Sequence, residues 1–160
     1  MHGARIVLGC TALAIIVGLA ACATPDVDVD ALDAWREKAS SAELPSDAVA
    51  AMSGTVTPSD GEPVQDDGVT VDLPDPAAVT TVEFSCFGDG TMSLSVTSSG
   101  PDSGAGFTTD PLLCGESPHD LGRVGIAGGV GITSITVSVS EADRESAWWV
   151  VVHGDDSEKG

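Results

Sequence analysis

The sequence predicts a mainly β chain, an antiparallel β-sandwich of jelly-roll or immunoglobulin-like type, with one short N-terminal helix. Three observations predict it. Apolar residues alternate with Ser, Thr and acidic residues in several separate stretches, the period-two pattern of half-buried strands. Clusters of Gly, Pro, Ser and Asp divide those stretches, as turns do. Two cysteines, Cys86 and Cys114, fall within the alternating region of a chain whose N-terminus reads as an export signal.

That N-terminal segment is the first element. Arg5 precedes an apolar run of 14 residues, Ile6–Leu19, and the run closes on Leu19-Ala20-Ala21-Cys22. A positive start, a short apolar stretch and small residues before a cleavage point make a secretory signal. A spanning helix wants about 20 apolar residues, and no Lys or Arg cluster follows Cys22 to stop transfer. Cys10 also follows a small residue, but too little apolar chain precedes it to thread a membrane. The tetrapeptide resembles the bacterial lipoprotein signal. That resemblance implies diacylglyceryl transfer to the Cys22 thiol, cleavage after Ala21, and a mature protein lipid-anchored on the extracellular face of the cell membrane. One acyl chain holds a protein marginally and two hold it stably. The expected organisation is a signal peptide over 1–21, a tether over 22–29, a helix over 30–44, the β domain over 45–153 and a disordered tail over 154–160.

Charge narrows the partners. The 160-residue chain carries 25 acidic and 6 Lys or Arg residues, a net charge of −19. Such a surface repels nucleic acid and anionic headgroups, so no nucleic-acid partner is expected. An envelope protein or a glycan is the expected class of partner, besides the membrane itself through Cys22. With Cys10 removed and Cys22 lipidated, Cys86 and Cys114 remain as an even pair in an oxidising compartment, which predicts a disulfide. Their spacing fits no CxxC or zinc pattern.

The helix comes next. Asp30 is placed as its N-cap and Asp33 in its first turn. Leu32, Trp35, Ala39 and Ala42 form a narrow apolar stripe, and Pro45 ends it. Strands follow from about Ala50. Val69, Val71 and Leu73 alternate with polar residues, as do Val82, Phe84 and Cys86, then Met92, Leu94 and Val96, then Ile135, Val137 and Val139. Weaker strands are expected over Met52–Thr57, Pro111–Cys114 and Leu121–Ala127, and a strong last one over Ala147–His153. Turns are expected at Pro58–Gly61, Ser98–Gly106 and Gly128-Gly129. Asp89-Gly90, between Phe84-Ser85-Cys86 and Met92, is a tight-hairpin signal.

The Cys-bearing strand with its Gly88-Asp89-Gly90 turn, the second cysteine at Cys114-Gly115 and the final Trp148-Trp149-Val150-Val151-Val152 strand resemble the small β-sandwich lipoproteins exported by high-GC Gram-positive bacteria. The resemblance implies a place and a fold rather than an activity, and it covers most of residues 50–153.

No pattern for catalysis stands out. Asp26, Asp28, Asp30 and Glu37 echo an EF-hand loop, but Ala31 occupies the position of the required Gly and the same residues read as a helix start. His119 and His153, the histidines left after processing, are too few for a zinc cluster and are not brought together by any spacing. The chain has no Gly-x-Ser-x-Gly elbow and no Ser-x-x-Lys. The glycines of Gly122–Gly131 lack nucleotide-binding order and read as turns. The expectation is therefore a protein with a binding or structural role at the cell envelope and no enzyme, with no cofactor and no metal; a carbohydrate- or cell-wall-binding module is the alternative, and a hydrolase or enzyme inhibitor comes after it. Trp148 and Trp149 are the candidate ligand contacts. Adjacent residues on a strand face opposite ways, so one indole belongs to the core. The other either stacks on a sugar or partner, or lies under the N-terminal helix or a loop. The second alternative is favoured, because large exposed apolar surface is scarce on monomers.

Overall fold

The computed structural model describes residues 27–58, 68–101, 104–122 and 131–155. The expected signal peptide, Cys22, Asp26 and most of the tether lie outside them, as do most of the expected strand Leu121–Ala127 and residues 156–160 of the expected tail. The described chain is mainly β and antiparallel, with one helix. The order is α1 (Val29–Ser41), β1 (Ala48–Val56), β2 (Val69–Cys86), β3 (Thr91–Ser99), β4 (Gly104–Thr108), β5 (Leu112–Leu113), a 3-10 turn (Cys114–Glu116), β6 (His119–Asp120), β7 (Ile132–Ser140) and β8 (Ser146–Asp155).

Hydrogen bonds join the eight strands into one open sheet of order β1-β8-β2-β7-β3-β4, with β5 on β3 and β6 on β2. The hinge of this sheet is β2. Its first part, Val69–Asp72, pairs with β7, and its last part, Val82–Cys86, pairs with β8. Between them Leu73–Pro76 stand against the single residue Thr133 of β7. Pro74 and Pro76 fall in this interruption, where no ladder N–H is needed. A second irregularity follows: Val79 faces Gly154 and Thr81 faces His153, leaving Thr80 as an extra residue. A one-residue bulge exchanges the two faces of a strand. Leu73, Ala77 and Val79 are buried before it, and Val82, Phe84 and Cys86 after it. Both parts of β2 therefore feed one core.

That core is contiguous. Met52 and Val56 of β1, Trp148, Val150 and Val152 of β8, Leu94 and Val96 of β3, and Ile135, Val137 and Val139 of β7 join the β2 residues in it. Nearly all are 3 % exposed or less. The four alternating stretches read from the sequence each point their apolar members inward.

Several boundaries differ from expectation. The helix starts at Val29 because Asp28, not Asp30, caps it, accepting from the Ala31 N–H at 3.1 Å. A carboxylate at 28 does the same work as one at 30 and leaves Asp30 in the first turn, facing the positive helix end. The helix ends at Ser41, with Ala42 as its C-cap. The stretches around Val69 and Phe84, expected as two strands, are one. The last strand continues through Gly154 and Asp155, so the sheet extends two residues into the expected tail. Most of the expected turn Ser98–Gly106 is strand: β3 runs to Ser99 and β4 begins at Gly104, pairing with it.

The Asp89-Gly90 hairpin is also corrected. β2 and β3 do not pair with each other; β8 and β7 take their edges. The turn is a corner that carries the chain to the far side of β7. Gly88 adopts φ +90°, where a glycine is favoured. A Cβ on Gly90 would lie 2.5 Å from the Asp143 carboxylate, which accepts from the Thr91 N–H at 2.9 Å. The glycines thus fit a close approach between two segments.

Cys86 and Cys114 are bonded, 28 residues apart. The bridge ties the end of β2 to the turn after β5, and both cysteines are buried. The Cys86 N–H also donates to the Ser117 hydroxyl at 3.0 Å. A closed loop of this length removes about 3–4 kcal/mol of unfolded-state entropy in the chain-entropy model. Urea melts of the oxidised and reduced protein should differ by that amount. Equal stabilities would show that the bridge constrains nothing.

Candidate functional site

Helix α1 lies across the outer face of the β1-β8-β2 strands. Its buried residue is Leu32, and Trp35 and Ala39 of the same stripe are half-buried. Trp35 meets Phe87 edge-on, with ring centroids 6.2 Å apart. Ala42, the last residue of the predicted stripe, is exposed at the helix end.

The two candidate tryptophans separate as strand geometry requires. Trp148 is fully buried in the core. Its indole N–H has no partner among the described residues. The ring lies on Gly54 of β1, directly opposite in register, where a Cβ would be 2.7 Å from Cζ2. Trp149 faces outward, half-buried, between Ser53 of β1 and Ser85 of β2. It sits beside α1, sharing clefts with Trp35 and Ala39.

Among the described residues, three clefts border the helix. On the β2 side, one of about 250 Å3 is lined by Trp35, Lys38, Glu83, Ser85 and Trp149. On the β1 side, one of about 140 Å3 is lined by Arg36, Ser53, Thr55 and Trp149. The largest, about 410 Å3, opens at the helix N-terminus between Asp28, Phe87, Arg144 and Glu145. Size does not make the last the best candidate. Its arginine already pairs with Asp89 and Asp143. The β2-side cleft instead combines two indole surfaces with an ammonium, a carboxylate and a hydroxyl. That is an apolar wall with a few polar groups, the usual make-up of a small-ligand site. Trp35 and Glu83 are contributors the sequence reading did not single out. The signal for Trp35 was present in the helical stripe, but which strand face it covers depends on long-range packing.

The remaining candidates are apart. His119 lies opposite Phe84 and stacks on it, and its Nε2–H donates to the Leu113 carbonyl at 2.8 Å. His153 lies opposite Thr81, and its Nδ1–H donates to Asp47 at 3.1 Å. A carboxylate-oriented imidazole supplies two of the three members of a catalytic triad. Among the described residues no Ser or Thr hydroxyl hydrogen-bonds to it. Of the EF-hand echo, Asp28 caps α1 while Asp30 and Glu37 lie within it, so this segment is helix and does not wrap an ion. No group of three metal-ligating side chains occurs among the described residues, and no described helix is long and apolar enough to cross a membrane.

Asp120 of β6 accepts from the Gly122 N–H and the Thr81 hydroxyl, each at 2.8 Å. The Gly122 N–H, then the Thr81 hydroxyl, hold its carboxyl below the ordinary carboxylate range; the charge of His153 adds to this and burial opposes it. A depressed carboxylate stabilises the fold above its unfolded pKa, and that contribution is lost as pH falls through the lowered folded value.

A search of protein-family models, of curated proteins and of solved structures gives no match to this chain.

Two substitutions test this geometry. Gly54→Ala should force Trp148 off its seat and cost about 1–3 kcal/mol in urea unfolding, as overpacking does; an unchanged midpoint contradicts the contact. Thr81→Val should raise the Asp120 titration midpoint, read by carboxyl NMR, toward the ordinary aspartate value. No movement would mean the hydroxyl does not hold the charge.

Proposed function

We propose that this protein is a lipid-anchored envelope protein that binds a partner on the extracellular face of the cell membrane and performs no chemistry of its own. The observation that carries the reading is Leu19-Ala20-Ala21-Cys22 at the end of a short apolar run, six residues ahead of the Asp28 helix cap. Six residues reach about 20 Å at full extension, so a lipid on Cys22 holds the helix end of the domain close to the bilayer. The acidic surface keeps the rest of the domain off anionic headgroups.

Binding is assigned to the β2-side cleft. Trp35 and Trp149 support a second, more specific reading, a carbohydrate or cell-wall-binding module. Aromatic faces pack against the apolar faces of sugars, and Glu83, Lys38 and Ser85 supply hydrogen-bond partners for hydroxyls.

Expressed in a bacterial host that processes lipoproteins, the wild-type chain should fractionate with membranes, with an acylated Cys22 as its N-terminus. Cys22→Ser should abolish acylation and membrane retention. Equal retention of the variant contradicts the anchor. Trp149→Ala should abolish the tryptophan fluorescence change on adding soluble cell-wall oligosaccharides. A wild-type chain that shows no change removes the glycan reading and leaves a protein partner.

A further inference from the structure

The strand path ends in β1 and β4, and the chain treats these two ends differently. An edge strand presents unpaired N–H and C=O groups that template another strand, and proteins blunt it with charge, proline or shortness. β4 is blunted: it has five residues, two of them glycine, and Asp110 and Pro111 follow closely. β1 is not. Among the described residues it pairs with β8 alone. Its nine residues, Ala48-Val49-Ala50-Ala51-Met52-Ser53-Gly54-Thr55-Val56, contain no charge and no proline, in a chain with 25 acidic residues. Its register irregularity is confined to Ala48–Ala50, and Ala50–Val56 runs in unbroken register with β8.

We infer that β1 is a self-association edge, where the Ala50–Val56 segments of two copies pair antiparallel about a two-fold axis at Ser53 and continue the sheet from one protomer into the other. The occupant follows from the composition of the strand. Self-pairing sets Ala50 against Val56, Met52 against Gly54 and Ala51 against Thr55, with Ser53 opposite itself. Each pair shares a face, so apolar residues continue the inner row and hydroxyls the outer one. No charge meets a like charge along the seam, although the chain as a whole carries −19. Asp47, at the end of the strand, would lie about 40 Å from its counterpart in the partner. General repulsion between the two acidic domains remains, and salt screens it, so association strengthens as ionic strength rises.

The test uses the full chain purified in a non-ionic detergent. Sedimentation equilibrium over a dilution series should show a dimer that dissociates on dilution, at lower concentrations as salt is added. Ser53→Lys, a substitution at an exposed position that sets two ammonium groups against each other, should abolish the dimer. Hydrogen exchange of the wild-type dimer should show protection at every amide from Ala50 to Val56. A wild-type chain that is monomeric throughout, or fast exchange at every second amide of the segment, overturns the inference. So does a Ser53→Lys variant that stays dimeric, because association would then come from the lipid or another surface.

Discussion

The fold depends on one strand keeping a single apolar face while it changes neighbours. β2 is 18 residues long, and β7 pairs with its first part and β8 with its last. Side chains on a strand alternate strictly. The buried set of β2 is therefore held on one side by the extra residue Thr80, with Leu73, Ala77 and Val79 buried before it and Val82, Phe84 and Cys86 after it. Without the shift at Thr80, Val82, Phe84 and Cys86 would turn to solvent and Thr81, Glu83 and Ser85 would enter the core. The disulfide fastens the same strand at its end, and the Gly88–Gly90 corner then sends the chain to β3 on the far side of β7. The functional face is set by this arrangement too, since Ser85 and Glu83 look outward toward α1 only because Phe84 and Cys86 look inward.

How much of this was legible follows from which forces are local. Alternation at Val82–Cys86, Met92–Val96 and Ile135–Val139 records burial directly and shows which residues face in. Strand continuity through Pro74 and Pro76 could not be read, because proline argues against a strand until the break in register between Asp72 and Ala77 is known. Asp89-Gly90 carries the chemistry of a tight turn, but turn chemistry does not name the partner. β7 and β8, far along the chain, compete for the edges a hairpin would use. β4 was hidden because Gly104 and Gly106 have little intrinsic strand preference; pairing with β3 supplies what the residues lack.

The candidate site has the same mixture. Opposite orientation of Trp148 and Trp149 follows from strand geometry alone. Which indole goes inward depends on Gly54 opposite Trp148, a gap in the neighbouring strand shaped for a large ring. The helical stripe of Leu32, Trp35 and Ala39 announced a packing face but not its target. Its seat over Trp149 makes the cleft, and joins an aromatic wall to Lys38 and Glu83 in a protein otherwise dominated by acidic surface.

The most direct measurement is the set of cross-strand nuclear Overhauser contacts made by β2. The account predicts contacts from Val69–Asp72 to Ser134–Val137 and, on the same strand, from Val82–Cys86 to Trp148–Val152, with Thr80 opposite no residue of β8. Contacts from Val82–Cys86 to Thr91–Val96 instead would mean a local hairpin at Asp89-Gly90, and would contradict the shared strand on which the core and the cleft rest.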